Sequence, residues 1–294
     1  MTTFAIGDIE VQAVVERIDL AGLPHRDFPD AVPDALAPYR AWLEPTAICP
    51  QSGELIMPVQ TYLVRTGHHT ILLDTCIGNH KTIPSAPDAH MVEGSPLLLK
   101  LAAAGVQPEE VDIVMCSHMH YDHVGWNTKL LDGRWAPTFP NAKYVFARTE
   151  LDAAAAEAGG EDKVYEESVL PVIESGQAVI VDMDHQLDDN IWLEPTPGHT
   201  AGHVAFRLSS NGADGVMTGD LIHCPMQLPH PEWSPDFDFD PALGGVTRRR
   251  FLDTYCERDV LVMTQHFPLP SIGHITGRGG GFGFRYSGSD LVHN

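Results

Sequence analysis

Ser117-His118-Met119-His120-Tyr121-Asp122-His123-Val124-Gly125 holds three histidines and a carboxylate within six residues. Neutral imidazole and carboxylate are the ligands that borderline and hard divalent cations prefer. On extended backbone alternate side chains share a face, so His118 and His120 can converge on one cation. Asp122 continues that face and His123 opposes it. Alternation does not sort these two, because Gly125 marks a chain already turning. A lone histidine is most often a structural residue. Four ligand-type residues packed together after an apolar run read as a metal cluster.

Three further motifs follow. Thr196-Pro197-Gly198-His199-Thr200-Ala201-Gly202-His203 projects His199 from a sharp turn. Thr218-Gly219-Asp220 and Gln265-His266-Phe267-Pro268 each put a ligand type just past an apolar run. Alone, Asp220 reads as a turn residue and His266 as a loop residue. The shared placement at strand ends raises all three together.

The order His118-x-His120-x-Asp122-His123, then His199, Asp220 and His266, resembles the metallo-β-lactamase-fold hydrolases from the Asp74-Thr75 turn onward. The resemblance implies an α/β (α+β) αββα sandwich of two mostly antiparallel sheets with outer helices. It implies two divalent metal ions, zinc first, with manganese, cobalt or iron as alternatives. By the family pattern His118, His120 and His199 bind one metal, and Asp122, His123 and His266 the other. Asp220 bridges them with a hydroxide that attacks the substrate, so that Asp122 and Asp220 count as catalytic as well. Asp74 and His203 match residues that orient the ligands from behind.

Steps of 81 residues from His118 to His199, 21 to Asp220 and 46 to His266 resemble the N-acyl homoserine lactone lactonases and methyl parathion hydrolase. The lactonases carry a tyrosine three residues after the bridging aspartate; this chain has His223. His223 is a candidate acid or hydrogen-bond donor, or a pocket-lining residue. The implied reaction is hydrolysis of a small-molecule lactone, aryl ester or phosphotriester. Rivals are a glyoxalase II-like thioesterase, a mono-iron oxygenase of the fold and a non-catalytic metal-binding member. The thioesterase needs basic residues for glutathione. Arg248-Arg249-Arg250 are the candidates, although such a run on a helix reads as a solvated face. Met119, Tyr121, Trp126 and His223 are candidate pocket residues beside the ligands.

The elements that must position these groups read as mostly strands with interspersed helices. Phe4 to Ile18 reads as two strands meeting at Gly7-Asp8, and 59–65 with 70–74 as a hairpin. Strands are expected at 111–116, 143–147, 178–181, 191–195, 203–208, 215–218 and 260–263. Helices are expected at 97–104, 149–158, 162–174 and 247–256. Residues 20–58, with seven prolines from Pro24 to Pro58, read as irregular, as do 224–245. Both are expected as lids or pocket walls, with Trp233, Phe237 and Phe239 meeting substrate or a second copy of the chain. The glycine-rich stretch Gly277 to Gly283 leads into Phe284-Arg285-Tyr286.

With no internal repeat or low-complexity linker, residues 1–294 read as one domain. A net charge of −22 repels phosphate backbones and anionic membranes, so nucleic acid and membrane are not expected partners. A small-molecule substrate and a homodimer are. No apolar run approaches a membrane span and no signal-like start is seen. Five cysteines without C-x-x-C pairing suit reduced thiols, hence a cytoplasmic protein.

Overall fold

The computed structural model describes residues 3–288. It is a mixed α/β protein. Its strands are β1 Thr3–Ile6, β2 Ile9–Leu20, β3 Ile56–Arg65, β4 Thr70–Leu73, β5 Ile113–Met115, β6 Thr128–Leu131, β7 Arg134–Pro137 and β8 Lys143–Ala147. They continue with β9 Ala178–Val181, β10 Ile191–Pro195, β11 Val204–Ser210, β12 Ala213–Met217, β13 Val260–Met263, β14 Ile272–Arg278 and β15 Gly281–Tyr286. One sheet has the order β1-β2-β3-β4-β5-β8-β9, a second runs β10 to β15 in sequence, and β6-β7 form a small hairpin. The chain divides into two compact units. The first takes the described residues up to Glu16 together with Val59–His185, and the second takes Arg17–Pro58 with the described residues from Gln186 on.

In the first unit β4, β5, β8 and β9 are mutually parallel. Such strands are covered on both faces, and Leu72, Leu73, Val114, Met115, Tyr144 and Phe146 are fully buried. Parallel pairing sets the carboxyl ends of β4 and β5 side by side, so the backbone N–H of Asp74 bonds the Met115 carbonyl at 2.8 Å. The helix Leu97–Ala103 buries Leu97 and Leu101 and stops before Gly105, whose φ is +80°.

The expected helix over 162–174 is part π-helix, Tyr165–Val169, and part α-helix, Leu170–Glu174. Pro171 has no N–H for the Glu167 carbonyl. That carbonyl accepts instead from Lys81 Nζ at 3.0 Å and from the Thr128 hydroxyl. Lys81 is buried, bonds Thr128 Oγ1 at 2.6 Å and lies 3.7 Å above the Trp135 ring. Burial lowers its pKa to about 7.

In the second unit β10, β12 and β13 point the same way, since β11 is antiparallel to both β10 and β12, and β13 is parallel to β12. Their carboxyl ends therefore lie along one edge of the sheet. Residues 20–58 correct the sequence reading. Instead of being irregular they form the helical turns Pro24–Asp27, Pro33–Leu36, Ala37–Tyr39 and Arg40–Leu43. Phe28, Leu36, Leu43, Ile48 and Leu55 pack there with Cys224, Met226 and Trp233. Prolines taken as breakers sit at the first helical positions, where the missing N–H costs nothing.

The 224–245 stretch is also more ordered than expected, with a turn of 3-10 helix at Pro225–Gln227. The expected helix 247–256 begins earlier, as Pro241–Tyr255. Asp240 caps it by accepting from the Leu243 N–H at 2.9 Å. Gly244, inside it, faces Gly198, where an added Cβ would lie 2.4 Å from the Gly244 Cα. The glycine-rich end forms the β14–β15 hairpin. All five cysteines are free thiols. Among the described residues no helix is long and apolar enough to cross a membrane.

Candidate metal centre

In the first unit the donors follow β5. His118 and His123 are buried, and Asp122 and His123 lie in the single helical turn Tyr121–Val124 that His120 starts. The His118 ring meets those of His120 and His123 at 4.6 and 4.0 Å. Asp74, at φ +60° just past β4, lies behind them. Its Oδ1 accepts from the Ser117 N–H at 2.7 Å. Its Oδ2 accepts from Ser117 Oγ and from His123 Nδ1, each at 2.8 Å. Because Ser117 Oγ gives its proton to Asp74, it accepts from His118 Nδ1 at 3.0 Å. In their neutral form both imidazoles thus carry their proton on Nδ1 and leave Nε2 as the acceptor. His123 Nε2 stands 3.6 Å from Asp122 Oδ2.

Neighbouring backbone fixes this turn. Thr75 N–H bonds the His123 carbonyl at 2.7 Å, and Gly125 N–H bonds the Cys76 carbonyl at 2.7 Å. A Cβ on Gly125 would lie 1.7 Å from the Ile77 oxygen, so only glycine fits. Two expected pocket residues are committed elsewhere. Met119 and Trp126 are buried in the first unit's core. The Met119 N–H bonds Glu150 Oε1 at 2.9 Å, and the Trp126 indole N–H bonds Glu16 Oε1 at 2.8 Å. Tyr121 is partly buried against the same core. Burial raises the Glu16 carboxyl, partly offset by bonds from Ser95, Ile77, Trp126 and Gly78.

In the second unit His199, Asp220 and His266 follow β10, β12 and β13, all buried on one sheet edge. His199 Nδ1 donates to Asp238 Oδ1 at 2.8 Å, and His266 Nδ1 to the Pro58 carbonyl at 2.7 Å. In the neutral imidazole each Nε2 is then the acceptor. Yet His199 Nε2 lies 3.6 Å from Asp220 Oδ2, and His266 Nε2 lies 3.1 Å from Asp220 Oδ1. Lone pairs facing carboxylate oxygens repel unless a proton or a metal ion lies between, and His123 with Asp122 repeats the pattern. The donor chemistry therefore fits divalent metal. His203 turns away from such a role. Its Nε2 accepts from the Asp220 N–H at 3.0 Å and its Nδ1 donates to Thr196 Oγ1 at 2.8 Å, so it holds Asp220 in place.

His223 is buried, and neither ring nitrogen makes a hydrogen bond among the described residues. Its Nε2 lies 3.3 Å from Asp220 Oδ2. Donor atoms of His199, Asp220 and His223 lie within 4.8 Å of one another. Phe28 and Phe237 meet the His223 ring edge-on at 6.0 and 5.6 Å. Phe237 is half exposed and also meets His199, at 5.9 Å, which suits it to a substrate-facing wall. Trp233, expected beside it, is buried and stacks on His230 at 4.0 Å.

The sequence reading missed two residues here. Asp238 lay within the acidic-aromatic run Asp236-Phe237-Asp238-Phe239-Asp240, whose alternation was its one visible signal. Burial raises its carboxyl, with His223 and Arg248 acting against the rise. The expectation of a solvated Arg248 is corrected: it is fully buried, with its guanidinium bonded to the carbonyls of Leu221, Pro231 and Trp233.

The family profile described as the metallo-beta-lactamase superfamily matches residues 56–264. The chain belongs to the metallo-beta-lactamase superfamily. A relative from Bacillus sp., named N-acyl homoserine lactonase, is 26% identical over 208 residues, 67% of this chain and 77% of that protein. The AiiA lactonase of Bacillus thuringiensis subsp. kurstaki is 25% identical over the same span. Among solved structures, the hydrolase AbOPH superposes with a TM-score of 0.80 at 22% identity, over 99% of this chain and 97% of its own. AidC, a dizinc quorum-quenching lactonase in complex with its product, gives 0.77 at 21% identity over 97% of each chain. At these identities the two structures speak for the fold of this superfamily member.

Proposed function

We propose that this chain, a hydrolase of the metallo-beta-lactamase superfamily, holds two divalent metal ions and cleaves an ester-type bond of a small molecule, a lactone first. The carrying observation is that His199, His266 and His123 each commit Nδ1 to another acceptor and turn Nε2 to within 3.1–3.6 Å of an Asp220 or Asp122 oxygen. By the family pattern His118, His120, Asp122 and His123 of the first unit and His199, Asp220 and His266 of the second would be the metal ligands. Zinc is the first candidate for this histidine-rich donor set. Two such ions acidify a water to near neutrality and polarise the electrophile's oxygen.

The chain's own residues do the rest. Asp74, through Ser117 and directly, keeps the His118 and His123 protons on Nδ1. His203 fixes Asp220 by its backbone. His223, whose Nε2 lies 3.3 Å from Asp220 Oδ2, is the residue we assign to pass a proton toward the leaving oxygen. Phe237 offers apolar surface for the group next to the scissile bond. The lactone preference rests on the two lactonase relatives. The glutathione thioesterase reading loses support, since Arg248 is buried, Arg249 covers the Phe282 ring and Arg250 bonds the Pro195 carbonyl.

The test measures metal per chain, then hydrolysis of N-hexanoyl-homoserine lactone, an aryl ester, a phosphotriester and S-lactoylglutathione, with and without chelator. We expect two divalent ions per chain, chelator-sensitive turnover and lactone cleavage above the thioester. One iron per chain, or turnover that survives complete metal removal, overturns the reading. His223→Ala with undiminished turnover removes His223 from catalysis.

A further inference from the structure

We propose that Arg248 and Asp238 form a buried positioning pair that sets the direction of His199 and braces the turn carrying Asp220. The inference rests on the dinuclear reading above. One guanidinium reaches three segments. Its Nε donates to the carbonyl of Leu221, the residue after Asp220, at 2.7 Å. One terminal nitrogen donates to the carbonyls of Pro231 and Trp233 at 2.6 and 3.0 Å. The other lies 3.6 Å from Asp238 Oδ2. Asp238 Oδ1 accepts the His199 Nδ1 proton at 2.8 Å.

Backbone bonds close the same unit. Phe239 N–H bonds the His199 carbonyl and Asp240 N–H bonds the Gly198 carbonyl, each at 2.9 Å. His199 is therefore held through its ring and its main chain by one five-residue stretch. That stretch also carries Phe237 against the His199 and His223 rings.

Burying a guanidinium and a carboxylate this deeply costs far more than an apolar pair of equal volume. The pair therefore reads as a device for direction rather than stability. A carboxylate behind an imidazole fixes its tautomer and raises its basicity as a ligand. The planar fork of Arg248 satisfies several fixed acceptors at once, which a lysine cannot do.

The test uses the full-length chain and zinc as probe. Asp238→Asn keeps a hydrogen-bond acceptor but removes the charge; Asp238→Ala removes both; Arg248→Lys keeps the charge but loses the fork. Zinc affinity is read by competition with a chromophoric chelator, and the visible spectrum is read after cobalt substitution. The His199 tautomer is read in the metal-free chain from 15N shifts.

We expect Asp238→Ala to weaken zinc about 10- to 100-fold. Asp238→Asn falls between it and wild type, and Arg248→Lys shifts the cobalt spectrum. In the metal-free wild type His199 carries its proton on Nδ1, and in Asp238→Ala that preference is lost. Zinc affinity within twofold of wild type in Asp238→Ala, with an unchanged tautomer, overturns the proposal. If Asp238→Ala does not fold, an unchanged spectrum in both Asp238→Asn and Arg248→Lys overturns it. A wild-type chain that binds no zinc, cobalt or other divalent ion overturns the dinuclear reading instead, while the tautomer measurement still judges the pair.

Discussion

Replacing Asp74 by Asn isolates what its carboxylate does. Asparagine accepts the +60° φ of this position as readily as aspartate and has nearly the same shape. The side chain is fully buried and accepts three hydrogen bonds, from Ser117 N–H, Ser117 Oγ and His123 Nδ1. An amide can satisfy them in neither orientation. With its oxygen toward Ser117 Oγ and His123, its NH2 faces the Ser117 N–H, donor against donor. Flipped, it faces the His123 Nδ1–H and pushes the proton to Nε2, where it blocks metal binding. At least one charge-assisted bond is lost and the others weaken. A bond to a charged group contributes about 1.5–3 kcal/mol, so the metal-free chain should lose about 2–4 kcal/mol. That is a large share of a typical stability of about 5–15 kcal/mol. Zinc affinity should fall about 10- to 100-fold as well. Urea unfolding of the metal-free chain measures the first effect and chelator competition the second. Unfolding within about 0.5 kcal/mol of wild type, together with unchanged zinc affinity, would refute the role assigned to Asp74.

Lys81 and Gly125 give sharper local tests. Burial depresses the Lys81 pKa from 10.5 to about 7, so its contribution to stability is full above the unfolded value and lost as pH falls through 7. Wild-type stability should therefore climb between pH 7 and 10 relative to Lys81→Met, by up to roughly 1.4 kcal/mol per pH unit. Parallel curves from urea melts at pH 7 and 9.5 would exclude a neutral buried Lys81. In Gly125→Ala the new methyl meets the Ile77 carbonyl, backbone that cannot turn aside, and the melting temperature should drop by the equivalent of about 3 kcal/mol. Gly67→Ala, whose Cβ meets nothing within 4 Å, is the control and should melt close to wild type.

Much of the site's vocabulary was legible in the chain. His118, His120, Asp122, His123, His199, Asp220 and His266 stand out because ligand types rarely cluster just beyond apolar runs. The strands were legible too, because 143–147, 191–195 and 260–263 are short apolar runs bounded by turn residues. Residues 20–58 were misread because proline reports only where a helix cannot continue. It is equally at home at a helix's first position, where Pro24 and Pro33 each stand.

The sequence by itself determined which residues can bind metal, and by resemblance which superfamily they serve. The tertiary structure alone decided which of their nitrogens are available. Parallel pairing of β4 with β5 brings Asp74 behind Ser117, and of β12 with β13 brings His266 beside Asp220. The Nδ1 protons of His123, His199 and His266 are then claimed by groups distant in the chain, such as Asp238, 39 residues from His199. Arg248 shows the same limit from the other side. Its charge looks like surface in the sequence, and the Asp238 carboxylate with the carbonyls of Leu221, Pro231 and Trp233, gathered by the fold, makes its burial tolerable. A proton's place on a ring, or a charge's place in a core, follows from neighbours that chain order does not reveal.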